Sequence, residues 1–495
     1  MEKNNRLRSF KKVLLLVALL FLIAQPMAIA QQFAFVSKTG QAQSYAIGDD
    51  GYLQAGVKWP APRFTDNGDG TVTDNLTDLI WLKNTNCFGT KNWADALDAA
   101  NNLAEGQCGL SDGSAPGGWH LANARELLSL IDYDNYSPAL SSGHPFTDVH
   151  SNTYWSSTTL ASRSEAALVV NMVPEPGNAT ILHDASKYES RGVWPVRIGN
   201  EAMFAVSPVP KTGQTQHYAT GDDGDLQAGV RWPYPRFTDN GDGTVTDNMT
   251  ELIWLKNANC FGSKNWNDAL NASNNLADGQ CGLRDGSTAG QWHLANIKQL
   301  RSLIDHGKNS PLLPLEHPFT DVQADPYWSS TTNAGNIEQA WHMALGTSNG
   351  QFSGIVSGPK TNSGNVLAVR PMKAATIIID IDIIPGSYPN SINISPKGQV
   401  PVAILTTDDF DAYDVDLISC DFAGAYPLRW KMEDIDKDGD HDMLLYFLAE
   451  ELELAKDATT ATLTGETFEG IDIIGTDSID ILTPDKEDQE ESEKK

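Results

Sequence analysis

Apolar and polar residues along the first three quarters of the chain follow patterns that alternate between strand and helix. The Asn67–Gly70 segment is a turn signal, and Thr71–Thr73 and Leu79–Leu82 on its far side are β-prone, which predicts a hairpin. Apolar residues then recur at helical spacing over Trp93–Ala104, and Gly106 is a natural stop. Short strands and loops follow, so the pattern indicates an α+β module.

A second helix is predicted to start at Asn123. Asn123 with Glu126, and Asn296 with Gln299 further along, have the spacing of a capping box, in which the two side chains bond reciprocally to the first turn. Leu127, Leu130 and Ile131 give this helix an apolar face. We expect Glu126 to be an exposed acid on its other face.

The whole pattern occurs twice. Residues 61–132 and 234–305 align without a gap at an offset of 173 residues, and 55 of the 72 positions are identical. This period has the size of a domain and is too long for a solenoid or propeller unit. The sequence therefore predicts two tandem repeats, 31–200 and 201–373, each opening with a polar lead, Lys38–Pro60 or Lys211–Pro233. The copies diverge most in 161–190 and 334–363, which we interpret as long loops that contact a ligand or have drifted.

The character of the chain changes near Ala374. Five β-prone runs with turn residues between them predict a β-sandwich over 374–484: Ile377–Ile384, Gln399–Thr407, Met443–Leu448, Thr459–Thr464 and Gly470–Leu482. Of the net charge of −29, residues 374–495 carry −21. The charged tail 485–495 is expected to be disordered.

The first 30 residues read as a secretory signal peptide. Lys11 and Lys12 precede the apolar run Val13–Ala24, and Ala28–Ala30 fits the small-residue cleavage rule. We therefore expect a secreted, periplasmic or cell-surface protein without a transmembrane segment in its mature chain. Nucleic acid and anionic lipid are unfavourable partners for so acidic a chain, whereas divalent cations are plausible ones.

The cysteines support an exported protein. Cys87 and Cys108 are 21 residues apart, and Cys260 and Cys281 repeat that spacing, which in an oxidising compartment favours one disulfide per repeat over free buried thiols. Cys420 is left over, as a buried small hydrophobic residue rather than a reactive thiol.

The most specific chemical motif is an aspartate-rich loop in the acidic region. Its carboxylates alternate along the chain with a glycine at the sixth position, and they belong to Asp434, Asp436, Asp438, Asp440 and Asp442. Calcium prefers six to eight oxygen ligands, so we predict a calcium site here; the alternative is an acidic surface turn. Position 12 is Leu445, so the loop is not an EF-hand. The turns around Asp66 and Asp239 are weaker candidates for metal.

Catalytic motifs are lacking. The sequence contains no GxSxG, HExxH, P-loop or dinucleotide fingerprint. His120 and His144 recur as His293 and His317, next to tryptophan or proline, where a structural role is the better interpretation. We therefore predict that the protein is not an enzyme.

Several motifs together resemble the Lcl C-terminal domain family, found at the ends of collagen-like bacterial adhesins. They are the Phe-Thr-Asp-Asn-Gly-Asp-Gly-Thr-Val-Thr-Asp run, Leu-Ile-Trp, Trp-His-Leu-Ala-Asn, Tyr-Trp-Ser-Ser-Thr and Pro-Val-Arg, over roughly 61–198 and 234–371. The resemblance implies a C-type-lectin-like fold and, in the adhesins, binding of sulfated glycosaminoglycans. Asp78 and Glu251 depart from it, standing where the family usually has glycine.

These observations favour an exported, non-catalytic binding or adhesion protein. Two lectin-like repeats would recognise a carbohydrate or another extracellular polymer, and a calcium-stabilised β domain would follow them. One alternative is an oxidoreductase similar to formylglycine-generating enzymes, which share the lectin-like fold and need a reactive cysteine pair. Another is a purely structural envelope protein.

Overall fold

The computed structural model describes residues 33–149, 153–174, 179–199, 205–348, 351–352, 354–372, 377–393, 398–407, 410–467 and 471–482. The expected signal peptide at 1–30 and the expected tail at 485–495 lie outside this range. The chain divides into two compact units, Met1–Pro371 and Met372–Lys495. Both repeats therefore belong to the first unit.

The first repeat contains three short helices and ten strands among its described residues. They are α1 (Asp50–Leu53), β1 (Phe64–Asp66), β2 (Thr71–Asp74), β3 (Leu79–Leu82), β4 (Thr90–Lys91), α2 (Trp93–Asn101), β5 (His120–Leu121), α3 (Ala124–Ser129), β6 (Thr153–Thr159), β7 (Ala166–Asn171), β8 (Thr180–Ser186), β9 (Arg191–Gly192) and β10 (Pro195–Ile198). The predicted hairpin is confirmed as β2–β3, with Val72 opposite Trp81. Helix α2 ends at Asn101, before the predicted stop.

The second repeat follows nearly the same order. Its elements are α4 (Asp223–Leu226), β11 (Phe237–Asp239), β12 (Thr244–Asp247), β13 (Leu252–Leu255), α5 (Trp266–Asn274), β14 (His293–Leu294), α6 (Ile297–Ser302), β15 (Pro326–Thr332), β16 (Gln339–Ala344), β17 (Thr347–Ser348), β18 (Gln351–Phe352), β19 (Ile355–Pro359) and β20 (Ala368–Pro371). Strands β17 and β18 are additional, and single bridges stand where the first repeat has β4 and β9. Both predicted capping boxes form, at Asn123 with Glu126 and at Asn296 with Gln299.

The first unit has one small sheet in each repeat and one larger sheet with strands from both repeats. The small sheets have the orders β1-β2-β3-β10-β5 and β11-β12-β13-β20-β14. The third has eight strands in the order β15-β16-β19-β8-β7-β6-β9-β4, so it runs through both repeats. Its seam is the pair β8–β19, with Leu182 opposite Ile355. The expectation of long loops at 161–190 and 334–363 is therefore wrong: these segments contain the strands that join the repeats.

The two leads connect the repeats a second time. The Gln41 side chain, in the first lead, donates to the Thr332 carbonyl at 2.9 Å and accepts from the Thr332 amide at 3.0 Å. The Gln214 side chain, in the second lead, makes the same pair of bonds to Thr159, at 2.7 and 3.0 Å. Each lead also contacts its own repeat, as where the Tyr133 amide donates to the Thr39 carbonyl. Each lead thus lies between the two repeats.

A buried aspartate marks each of these junctions. Oδ2 of Asp223 accepts hydrogen bonds from Thr212, in the same lead, and from Thr158, in the first repeat, at 2.7 and 2.6 Å. Asp50 accepts equivalent bonds from Thr39 and Thr331, both at 2.7 Å. Both carboxyl groups are buried, and their Oδ1 atoms have no partner among the described residues.

The second unit is built from strands. They are β21 (Ile377–Ile378), β22 (Ile381–Ile383), β23 (Ser391–Asn393), β24 (Gln399–Ile404), β25 (Val415–Phe422), β26 (Arg429–Glu433), β27 (Asp442–Leu448), β28 (Thr460–Thr467), β29 (Asp472–Ser478) and β30 (Asp480–Leu482), with 3₁₀ turns at Ala412–Asp414 and Ala449–Glu451. The two four-stranded sheets have the orders β21-β29-β28-β25 and β22-β24-β27-β26. Buried residues of both, such as Leu463 and Val402, belong to one apolar cluster. Strands β23, β25 and β26 were not predicted.

Candidate functional site

The predicted disulfides form in both repeats. Cys87–Cys108 and Cys260–Cys281 are bonded, each with a Cα–Cα distance of 5.6 Å. Each bridge ties the turn after β3 or β13 to the segment that follows the helix of its repeat. Cys420 is a buried free thiol, and burial raises its pKa to about 12, so it is mostly protonated and unreactive near neutral pH.

The aspartate-rich loop connects β26 to β27 in the second unit. One carboxylate oxygen each of Asp434, Asp436 and Asp442 lies within 4.8 Å of the others, the only such group of three acidic, histidine or cysteine side chains in the part of the chain that the structure describes. Asp438 and Asp440 lie in the same loop but outside this group. Asp436 and Asp438 each accept a hydrogen bond from the amide two residues on, both at 3.2 Å, which shapes the turn.

Asp442 organises the loop from its buried end. Its Oδ1 accepts from the Thr406 amide at 2.9 Å, and its Oδ2 accepts from the Ile435 amide at 2.7 Å. Burial, together with Asp438, Asp442 and Asp436, raises the pKa of Asp440 to about 6, and its Oδ1 has no partner among the described residues. The loop therefore holds carboxylates close together although they repel one another. The side-chain atoms that these aspartates could offer to a metal ion are all oxygens.

The aspartates of the weaker candidate turns all bond to protein groups. Asp66 binds Lys83 at 2.6 Å, and Asp69 accepts both the amide and the hydroxyl of Thr71. The buried Asp74 pairs with Arg63 at 2.8 Å. The copies at Asp239, Asp242 and Asp247 make the equivalent bonds. These carboxylates stabilise the hairpins.

The histidines and the acid of the second helix have local partners. Glu126 is buried and not exposed as expected, because it closes the capping box and its oxygens lie 3.1 and 3.2 Å from Nε2 of His120. Burial opposes protonation of His120, but the charges of Glu126 and Asp223 raise its pKa overall. In the second repeat His293 lies 3.2 Å from Gln299, and burial lowers its pKa to about 4.

A lysine lies between two aromatic rings at two equivalent places in the first unit. Nζ of Lys187 is 3.7 Å from the ring centre of Trp93, in its own repeat, and 5.0 Å from that of Tyr218, in the other lead. Lys360 lies 3.9 Å from Trp266 and 5.3 Å from Tyr45. We call these the Trp–Lys–Tyr clusters. Each needs both repeats, because its tyrosine comes from the opposite lead.

The clusters combine a fixed amine with an exposed ring. The tryptophans are buried, whereas Tyr45 and Tyr218 are 37% and 36% exposed. Burial lowers the pKa of Lys187 and of Lys360 to about 8, with nearby carboxylates opposing the shift. Near neutral pH each cluster therefore presents a mostly charged donor beside a tyrosine face.

The family comparison agrees with the duplication. The model of the Lcl C-terminal domain matches residues 70–197 and again 243–370, together more than half of the chain. The chain belongs to the Lcl C-terminal domain family. No curated protein and no solved structure matches the chain.

Sequence reasoning did not single out the Trp–Lys–Tyr clusters of this family member. A signal was present, since Lys187 and Lys360 recur at the offset of 173 residues inside the segments that otherwise diverge. Their tyrosines, Tyr45 and Tyr218, recur as well, but nothing local indicates that each faces the lysine of the other repeat. No helix among the described residues is both long and apolar enough to cross a membrane.

Proposed function

We propose that the protein is an exported, non-catalytic binding protein that recognises a carbohydrate or another extracellular polymer through its two repeats. The fold we propose for the repeats is C-type-lectin-like, with a β-sandwich as the second unit. The observation that carries the proposal is the occurrence of the Trp–Lys–Tyr cluster twice. Exposed tyrosine faces pack against the apolar faces of sugars, and a neighbouring amine donates to their hydroxyl or acidic groups.

Two equivalent sites on one compact unit suit a repetitive ligand. A polymer that engages both sites gains avidity, because the second binding event is intramolecular. The cysteines of the repeats support a non-catalytic role. All four are bonded in two disulfides, so they offer no reactive thiol pair for the oxidoreductase alternative.

The test is a glycan and matrix-polymer array probed with the mature full-length chain. We expect Tyr45→Ala with Tyr218→Ala to reduce binding at least tenfold, and either single change to reduce it less. Tyr234→Ala is the matched control, because Tyr234 is 88% exposed and its hydroxyl donates to Glu316 instead. Binding to no polymer by the folded protein, or equal loss in the control, would refute the proposal and leave the structural envelope role.

We also propose that the Asp434–Asp442 loop binds one calcium ion. Asp434, Asp436 and Asp442 would supply the convergent oxygens, with Asp438 and Asp440 completing the set. The support is the donor chemistry: carboxylates only, one of them with an unpartnered buried oxygen. Calcium bound here would neutralise the repulsion within the loop.

Thermal unfolding of the mature chain in EDTA or millimolar calcium tests the calcium site. Calcium at a hundred times its Kd should stabilise the folded state by about 2.7 kcal/mol. Asp436→Asn should abolish most of this gain, because it removes a charge while retaining the oxygen that accepts the Asp438 amide. Asp480→Asn, an exposed charge on β30, is the control and should respond to calcium as the parent does. An unchanged melting profile of the parent would identify the loop as an acidic turn.

A further inference from the structure

A cavity of about 60 Å³ lies between the two repeats, and its lining is symmetric. All but two of its lining residues come in pairs related by the offset of 173 residues, such as Val36 with Val209 and Arg125 with Lys298. Equivalent residues of the two repeats therefore face the same cavity, which places it on the pseudo-two-fold axis that relates one repeat to the other. The two exceptions are Arg236 and Arg301.

The lining is cationic in a strongly acidic protein. Arg125, Arg236, Lys298 and Arg301 all line the cavity, and no aspartate or glutamate does. Arg236 is paired with Asp247 at 2.7 Å. Among the described residues, the other three form no salt bridge, and they donate instead to neutral oxygens, as Arg125 does to the Ile304 carbonyl and Arg301 to the Leu128 carbonyl.

Buried donors remain unused at this place. Arg125 and Arg236 are 4% and 6% exposed, yet Nε of Arg125 and Nη1 of Arg236 have no hydrogen-bond partner among the described residues. A buried guanidinium with an unused N–H is costly, and so are several buried cations facing one another. Burial and the neighbouring cations lower the pKa of Arg125 to about 9 and that of Lys298 well below its usual range. Asp305 and Asp247 offset the shift of Arg125 only in part, as Asp132 and Asp74 do for Lys298. Three of the four lining cations therefore have no ion-pair partner among the described residues.

We propose that this cavity binds one small tetrahedral oxyanion, such as inorganic phosphate or sulfate, between the two repeats. The volume corresponds to about four waters, which is the scale of a five-atom oxyanion. Guanidinium groups bind such oxygens through paired N–H donors, and the Thr250 hydroxyl in the lining is a further donor. An anion held here contacts both repeats and stabilises their association.

The duplication supplies a matched variant for each step of the test. Arg301 corresponds to Leu128, so Arg301→Leu removes a cation by installing the residue that the fold already uses at the equivalent position. Lys298 corresponds to Arg125, so Lys298→Arg keeps the charge and also uses a residue that the fold tolerates there.

The experiment is calorimetric titration of the mature chain with inorganic phosphate, against sodium chloride of equal ionic strength. We expect one phosphate per chain, a Kd raised at least tenfold in Arg301→Leu, and a Kd within about threefold of the parent in Lys298→Arg. Melting temperatures in both salts show whether each variant is folded, and they separate site binding from general salt effects. The phosphate-dependent rise should be smaller in Arg301→Leu than in the parent. Absence of saturable binding by the folded parent, or identical rises in parent and Arg301→Leu, would overturn the proposal.

Discussion

At the scale of single residues, two equivalent positions carry backbone strain. Asp78 and Glu251 have φ of 55° and 57°, in the left-handed region that favours glycine. A residue with a Cβ atom costs about 1 kcal/mol in this conformation. We expect Glu251→Gly to raise the free energy of unfolding by about 0.5 kcal/mol, the remainder being lost to the greater freedom of the unfolded chain.

Urea unfolding of the parent and of two variants measures this effect. Glu251→Ala removes the same carboxylate but keeps a Cβ atom, so it should give no gain. If alanine stabilises as much as glycine does, the strain lies in the partly buried side chain and not in the backbone.

The predictions that succeeded at this scale concern residues with local partners. The capping boxes at Asn123 and Asn296 could be predicted because both halves lie within three residues. Glu126 was misplaced because its position was judged from the apolar face of one helix, whereas one of its carboxylate oxygens lies 3.1 Å from Nε2 of His120, in the preceding strand β5. Spacing on one helix cannot indicate such a contact.

At the scale of elements, the junction of each lead with the opposite repeat depends on a buried carboxyl group. Burial raises the pKa of Asp223 to about 7, against hydrogen bonds from Thr158 and Thr212 that lower it, and with Glu126 and Asp222 adding to the rise. The folded state therefore binds this proton more tightly than the unfolded state does. The contribution of Asp223 to stability is full below about pH 4 and is lost as the pH rises through 7.

Asp223→Asn should remove this dependence, because asparagine stays neutral and its carbonyl oxygen accepts the same threonine hydroxyls. Urea unfolding at pH 5 and at pH 8 gives the free energy of unfolding of the variant minus that of the parent. This difference should be about 2 kcal/mol more favourable to the variant at pH 8 than at pH 5. Asp50→Asn is the matched control at the equivalent junction. Burial raises the pKa of Asp50 to about 6, so its gain should have the same sign and be smaller. A gain that is equal at pH 5 and pH 8 would contradict the argument.

The divergent segments show where an element-scale interpretation failed and why. Sequence difference between the copies resembled loop drift, but 161–190 and 334–363 contain β7–β8 and β16–β19, and β8 pairs with β19. The equivalent strands β8 and β19 pair with each other at the seam. Their side chains must pack against each other there, but the two strands need not have the same sequence. Divergence is therefore compatible with a packed interface as well as with an exposed loop.

At the scale of the whole molecule, the high sequence identity of the repeats made it impossible to predict which repeat each lead contacts. With 55 of 72 positions shared, a lead has nearly the same partners in its own repeat as in the other. Sequence reasoning predicted the number of repeats, the hairpin, the caps and the disulfides, all of which depend on short separations or on the duplication. The crossing of the leads, the shared sheet and the cationic cavity depend on which copy is contacted, and the pattern does not carry that information.

This arrangement predicts that the repeats stay together when the chain between them is cut. A protease site introduced at 200–204, outside the described residues, would leave the first lead bound to the second repeat through Gln41 and Asp50, and the second lead bound to the first repeat through Gln214 and Asp223. The seam β8–β19 adds a third connection. After complete cleavage the two pieces should co-elute in native size-exclusion chromatography and separate only in denaturant.

Gln41→Ala with Gln214→Ala removes four of the crossing hydrogen bonds and should lower the urea concentration at which the cut pieces separate. Pieces of the parent that separate in native buffer would show that each repeat folds with its own lead and that the crossing contributes little to stability.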